Sequence, residues 1–168
     1  SLPDSLTSIG ITSFSNCKKL STITIPSNVT SIGWGAFFDC TSLKNIIIPN
    51  GITSIETETF SGCTGLTNIT VPDSVIEIHR SAFSGCTNLE NVSIGNNVES
   101  IGENCFYNCT NLKTVNIGSS VMTVGEMAFA GCGNITDVYY AGTQEQWNAI
   151  TFEASNARLT NATIHFEN

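Results

Sequence analysis

Apolar residues recur along this chain with a step of 23 residues and no slippage. Phe14, Phe37, Phe60, Phe83, Phe106 and Phe129 form one column, and Cys17, Cys40, Cys63, Cys86, Cys109 and Cys132 form another, three residues on. Leu20, Leu43, Leu66, Leu89, Leu112 and Ile135 follow, then pairs spaced two apart such as Ile46/Ile48, Ile69/Val71 and Val92/Ile94. Val29, Ile52, Val75, Val98 and Val121 lead three residues later to Ile32, Ile55, Ile78, Ile101 and Val124. The register runs from Leu2 to Tyr140 without insertion or deletion. A fixed period of this kind is the signature of a solenoid, in which each coil carries a row of apolar side chains that only the next coil buries.

Spacing within a coil assigns the local structure. The apolar pair alternates with period two, as on a strand with one buried face. Pro26, Pro49 and Pro72 come directly after it, and proline, lacking an N–H, belongs where pairing stops. Asn50-Gly51 and Asp73-Ser74 then supply turn chemistry. Phe60, Cys63 and Leu66, three apart, predict a 3₁₀ or single helical turn on the far side. The expected fold is a single parallel sheet with strands in chain order and right-handed crossovers, residues 46–48 pairing with both 23–25 and 69–71.

The ends depart from this pattern. Leu2, Pro3, Leu6 and Ile9 fall in the columns of Ile25, Pro26, Val29 and Ile32, so the array over 1–140 starts mid-coil. Further repeats or a cap are therefore expected before Ser1. Residues 141–168 leave the repeat. Thr143 and Gln146 read as N-cap and N3 of a capping box, Trp147 and Ile150 lie on the short helix that follows, and Ile164 and Phe166 form a last strand after an irregular link. This segment is expected to cover the final coil.

The unit LxxIxIPxxVxxIGxxAFxxCxxL resembles the 23-residue repeat of BspA-like bacterial surface proteins, the Treponema-type leucine-rich repeat. It differs from the general leucine-rich pattern in its proline after the strand and in the place of its cysteine. The resemblance implies an α/β-type leucine-rich-repeat solenoid, right-handed, with one curved parallel sheet and short turns opposite. It also implies export to the bacterial cell surface and a part in adhesion or host–microbe contact.

Charge narrows the functional classes. Net charge is −8 with only six Lys and Arg, so the basic footprint of a nucleic-acid binder is missing. Charged residues are 12% against roughly 25% in an average soluble domain, leaving Ser, Thr and Asn to supply the polarity. No run approaches the ~18 apolar residues of a membrane span, and the first residues lack the basic and apolar regions of a signal peptide. His79 and His165 are the only histidines, neither has a nucleophile or acid at motif spacing, and GxSxG, HExxH and P-loop motifs are absent. The expectation is a non-enzymatic chain without a cofactor.

The cysteine column has three readings. A metal site needs clustered thiolates, and Cys105 with Cys109 is the only close pair. Disulfides between coils ~4.8 Å apart satisfy the Cα range but not the dihedral, because stacked side chains point in parallel. The third reading, a ladder of small, reduced, unreactive thiols filling the core, is the one expected for all seven cysteines, Cys105 included. Asn-x-Ser/Thr triplets such as Asn28-Val29-Thr30 and Asn68-Ile69-Thr70 are by-products of the repeat and carry no functional weight.

Recognition is expected on the outward strand positions, where Lys44, Ile47, Glu90, Lys113 and Tyr139 stand in register. Opposite charges on that face suit a protein or peptide partner. A glycan would favour exposed aromatics, which are few there apart from Tyr139. An alternative patch is Ile11, Trp34 and Phe38 on the turn side, unless Trp34 packs on an upstream coil. The competing function is a passive spacer presenting another domain of a larger surface protein, for which polar outward columns suffice.

Overall fold

The computed structural model describes residues 2–167; Ser1 and Asn168, the outer ends of the array and of the covering segment, lie outside the described residues. The paired apolar column forms strands as expected. Asn68–Val71, Asn91–Ile94, Thr114–Ile117, Asp137–Tyr140 and Thr163–Phe166 make a parallel sheet in chain order. Each residue faces its column mate, Asn68 against Asn91 and Val71 against Ile94. Ile69 and Val71 point into the core while Asn68 and Thr70 face out.

Three expectations about the coil need correction. The first concerns the number of sheets. A second parallel sheet runs through Ser54–Ile55, Glu77–Ile78, Ser100–Ile101, Thr123–Val124 and Thr151–Phe152, and Ser8–Ile9 pairs with Ser31–Ile32 in the same columns. Each of these short strands but the last buries one apolar residue, Ile55 or Ile78 for example, and exposes or half-exposes its neighbour, while Phe152 is half-buried.

The second correction concerns the extent of the main sheet. Residues 23–25 and 46–48 are outside it, and Thr22 and Asn45 share only an isolated bridge. Proline explains where the ladder begins. The N–H of Ala141 donates to the carbonyl of Ile117 at 2.9 Å, closing the last rung between those coils. Pro49 and Pro72 occupy the column of Ala141 and have no N–H to give to Ile25 and Ile48. Gly95 is the first residue of this column after Pro72 that keeps a donor, and its coil is the first to pair fully with the one before.

The third correction concerns the far side of the coil, which is a stack of turns rather than a 3₁₀ or helical segment. Two columns there are left-handed. Thr12, Gly35, Glu58, Ser81, Asn104 and Met127 form one, and Asn16, Asp39, Gly62, Gly85, Asn108 and Gly131 the other. A 3₁₀ helix needs negative φ throughout, so a left-handed residue every fourth position breaks it. The strain of placing Glu58, Ser81 and Met127 at positive φ is offset by hydrogen bonds to the next coil. Phe37 N–H donates to the carbonyl of Thr59 at 2.9 Å and Asp39 N–H to that of Ser61 at 2.8 Å, while intervening N–H groups close local turns.

Between sheets and turns lies one continuous core. The phenylalanines stack from coil to coil with ring centroids 5.1–5.5 Å apart and planes within 18° of parallel. Each thiol from Cys40 onward in the cysteine column donates to the carbonyl of a phenylalanine in the preceding coil, at 3.0–3.2 Å. All seven cysteines are unpaired thiols, and Cys17, expected to be buried, is exposed.

The tail continues both sheets. Its helix, Gln144–Ala149, starts with the capping box at Thr143 and Gln146 and buries Trp147 against Tyr140. Thr151–Phe152 then extends the second sheet and Thr163–Phe166 the first. The link between them is more ordered than its composition suggests, with a helical turn at Ala157–Thr160 that buries Leu159.

Candidate functional site

The outward side chains of the main sheet fall into rows, one residue per coil. The first row holds Lys44, Thr67, Glu90, Lys113 and Thr136. The second holds Asn45, Asn68, Asn91, Thr114 and Asp137, and the third Ile47, Thr70, Ser93, Asn116 and Tyr139. From Asn68 onward the strand ladders fix these rows, because a slip by one residue would turn the apolar set outward; Lys44, Asn45 and Ile47 stand on the coil before the first ladder. The five sequence-selected residues therefore do not form one cluster. Lys44, Glu90 and Lys113 share the charged row, while Ile47 and Tyr139 stand at opposite ends of the neutral row.

Contacts along the rows link neighbouring coils. Lys113 Nζ lies 3.1 Å from Glu90 Oε2, with both side chains about half exposed. Asn91 Nδ2 donates to Asn68 Oδ1 at 2.8 Å, and Asn116 Nδ2 to Ser93 Oγ at 3.0 Å. Ile47 is 83% exposed, the most open of the large apolar residues, and Tyr139 is 43% exposed.

Tyr139 has a partner that sequence reasoning missed. Its ring stacks on that of His165 with centroids 4.5 Å apart, and His165 Nε2 sits 2.8 Å from Asp137 Oδ1. The hydrogen bond to His165, with a smaller one from Thr136, holds the Asp137 carboxyl below its ordinary range. The signal lay in the tail: once Thr163–Phe166 is aligned with Asp137–Tyr140, His165 falls beside Tyr139.

A trough runs beside the third row, where the strands end. Its larger part, about 590 Å³, is lined by Thr70, Ser93 and Asn116, floored by Gly95 and Gly118, and closed at one end by Tyr139. A smaller part, about 340 Å³, continues to Ile47, with Asn50, Thr70 and Pro72 shared between the two. Asp73 and Glu167 are the charged residues lining it, and no Lys or Arg does so among the described residues.

The alternative patch lies on the turn side. Ile11 is 67% exposed and Trp34 44%, and the Trp34 carbonyl accepts the N–H of Thr12, so the two stand on adjacent coils. Phe38 is half-buried. Other sites are lacking: no group of three or more His, Cys, Asp or Glu able to hold a metal occurs among the described residues. No helix among them is long and apolar enough to cross a membrane.

The BspA type leucine rich repeat region matches the chain in six copies, over residues 1–71 and 35–160. Among solved structures, a leucine rich repeat protein of T. pallidum is 25% identical with a TM-score of 0.82, covering 99% of this chain and 83% of its own. A leucine-rich repeat protein from Bacteroides ovatus is also 25% identical, TM-score 0.77, and there this chain, 99% covered, spans 48% of the other's length. A leucine rich cell surface protein from Faecalibacterium prausnitzii is 29% identical with a TM-score of 0.52, covering 90% of this chain and 55% of its own. The pneumococcal vaccine antigen PcpA, at 22% identity and TM-score 0.79, shares the fold, covering 99% of this chain and 40% of its own. No curated protein matches the chain.

Proposed function

The chain belongs to the BspA-type leucine-rich-repeat family, and we propose that it is a non-enzymatic binding module of a bacterial surface protein, recognising a protein or peptide partner through its main sheet face. The observation that carries this reading is the geometry of that face. Its side chains stand one per coil, and from Asn91 to Tyr140 they do so on strands held on both sides by ladders, so a partner meets them with little ordering left to do. Lys44, Glu90 and Lys113 provide alternating charge along one row. Ile47 and Tyr139 provide apolar anchors on a face otherwise made of Thr, Ser and Asn. Alternating charge of this kind favours a folded protein or a peptide of mixed charge over a uniformly charged polymer.

The outside of the cell is the proposed location, in keeping with the cell-surface relative from Faecalibacterium prausnitzii and the pneumococcal antigen. Residues 141–168 serve as the cover of the last coil, and residues up to 140 as the array.

The test is a comparison of two double variants against a partner captured from host or microbial surface extracts. Lys44→Glu with Tyr139→Ala should weaken binding at least tenfold, or ~1.4 kcal/mol. Trp34→Ala with Phe38→Ala should leave it unchanged. The reverse order would move the site to the turn side, and no captured partner at all would favour a spacer.

A further inference from the structure

The trough beside the third row has a repeat of its own, set by the coil. Its walls present one neutral hydrogen-bonding side chain per coil, Thr70, then Ser93, then Asn116, and Tyr139 ends the series. The parallel strands that carry them set the step at ~4.8 Å. A peptide laid across the coils advances ~3.3 Å per residue when extended and ~3.1 Å as polyproline II, so its amides drift out of step with such a series. A pyranose linked through equatorial positions on opposite sides of the ring advances its chain by close to one coil. Its hydroxyls then meet the same kind of group at every step.

We infer that the trough binds a neutral, equatorially linked oligosaccharide lying along the solenoid axis, one ring per coil from Thr70 to Tyr139. Three further observations fit this ligand. The carbonyl of Asn116 and the hydroxyls of Thr70 and Ser93 keep free donor or acceptor capacity beyond the Asn116–Ser93 contact. Gly95 and Gly118 line the floor with backbone alone, where Pro26, Pro49 and Pro72 stand in the same column in the first coils. The charged groups at the rim, Asp73 and Glu167, accept hydrogen bonds from sugar hydroxyls and repel a chain carrying carboxylates or sulfates. Scarcity of aromatics, which disfavours a glycan when the sequence is read alone, matters less here, because hydrogen bonding ring by ring needs an aromatic only at the end.

This inference goes beyond the protein-partner reading and can fail separately, since its test contains no protein ligand. The 168-residue chain is titrated calorimetrically with cellohexaose, mannohexaose and xylohexaose, and with hexamannuronate, which shares the linkage of mannohexaose but carries carboxylates. At least one neutral hexamer should bind, with affinity rising from disaccharide to tetrasaccharide as more coils are engaged. Hexamannuronate should not bind. Ser93→Ala with Asn116→Ala should weaken binding about tenfold, the loss of one or two hydrogen bonds. Thr70→Arg, at an exposed position, should block the trough with the melting temperature unchanged. Trp34→Ala, on the turn side, should bind as the parent does. Failure of all three neutral hexamers, equal binding of hexamannuronate, or affinity independent of length would each overturn the inference.

Discussion

Asn156 Oδ1 accepts the backbone N–H of Phe129 at 3.1 Å, where every earlier phenylalanine of the column donates to a backbone carbonyl of the next coil. The same side chain gives its Nδ2 to the carbonyls of Gly125 and Glu153, at 2.8 and 3.0 Å. One buried amide thus replaces a missing coil at this point. Asn156→Ala leaves the Phe129 N–H buried without a partner and should cost ~1–3 kcal/mol in chemical denaturation. An unchanged midpoint would mean that water or a shifted backbone fills the role.

Phe60 stacks on Phe37 at 5.5 Å and Phe83 at 5.3 Å and is fully buried. Phe60→Ala should cost ~3–5 kcal/mol, because the neighbouring coils cannot close the gap without breaking their ladders. Phe14, half-buried with a single stacking partner, should cost clearly less when truncated. Equal losses at the two positions would contradict a core closed by stacking.

The thiols give a count and a pH dependence. Titration of the native chain should modify Cys17 rapidly and the other six only on unfolding. Burial pushes Cys40 from 9.0 up to about 11 and raises Cys63, Cys105 and Cys109 as well. Above pH 9.0 the unfolded chain releases these protons while the folded chain keeps them, so stability should fall as pH rises from there towards 11. Below that window this group of thiols should contribute no slope. A denaturation midpoint flat between those two values would contradict their burial.

The arrangement of columns was legible in the sequence because every column repeats coil after coil, and a fold must bury all of them in the same way. Features that depend on a single residue or on backbone conformation were not. The second sheet was hidden because Val75 and Ile78, three apart, do not alternate as strand residues do; its strands hold only two residues each. Left-handed turns were hidden because Glu58 and Met127 are not turn formers, and only hydrogen bonds to the next coil keep them there. The proline column pointed to the end of pairing within a coil. Its effect on the extent of the sheet required knowing that each rung takes its donor from the following coil. At the candidate site, Ile47 and Tyr139 were visible as breaks in a polar row, whereas the His165 stack depended on an alignment that the tail does not share with the repeat.

Gly118, in the column of Pro49 and Pro72, can be tested directly against Gly133, which lies outside that column. A Cβ at Gly118 would collide with the carbonyl of Gly95, and one at Gly133 would meet nothing within 4 Å. Gly118→Ala should therefore destabilise by ~1–3 kcal/mol, and Gly133→Ala should have little effect in the same thermal melt. A neutral Gly118→Ala would mean that the coils stack more loosely at the trough floor.

Hydroxyl-radical footprinting of the chain, alone and with a captured protein partner, tests the proposed binding face most directly. The side chains that decide it are Ile47 and Tyr139 on the sheet side and Ile11, Trp34 and Phe38 on the turns, all but the half-buried Phe38 exposed in the free chain. Binding should suppress oxidation of Ile47 and Tyr139 and leave Ile11, Trp34 and Phe38 as reactive as before. Protection of Ile11, Trp34 and Phe38 with Ile47 and Tyr139 unshielded would contradict recognition through the sheet face.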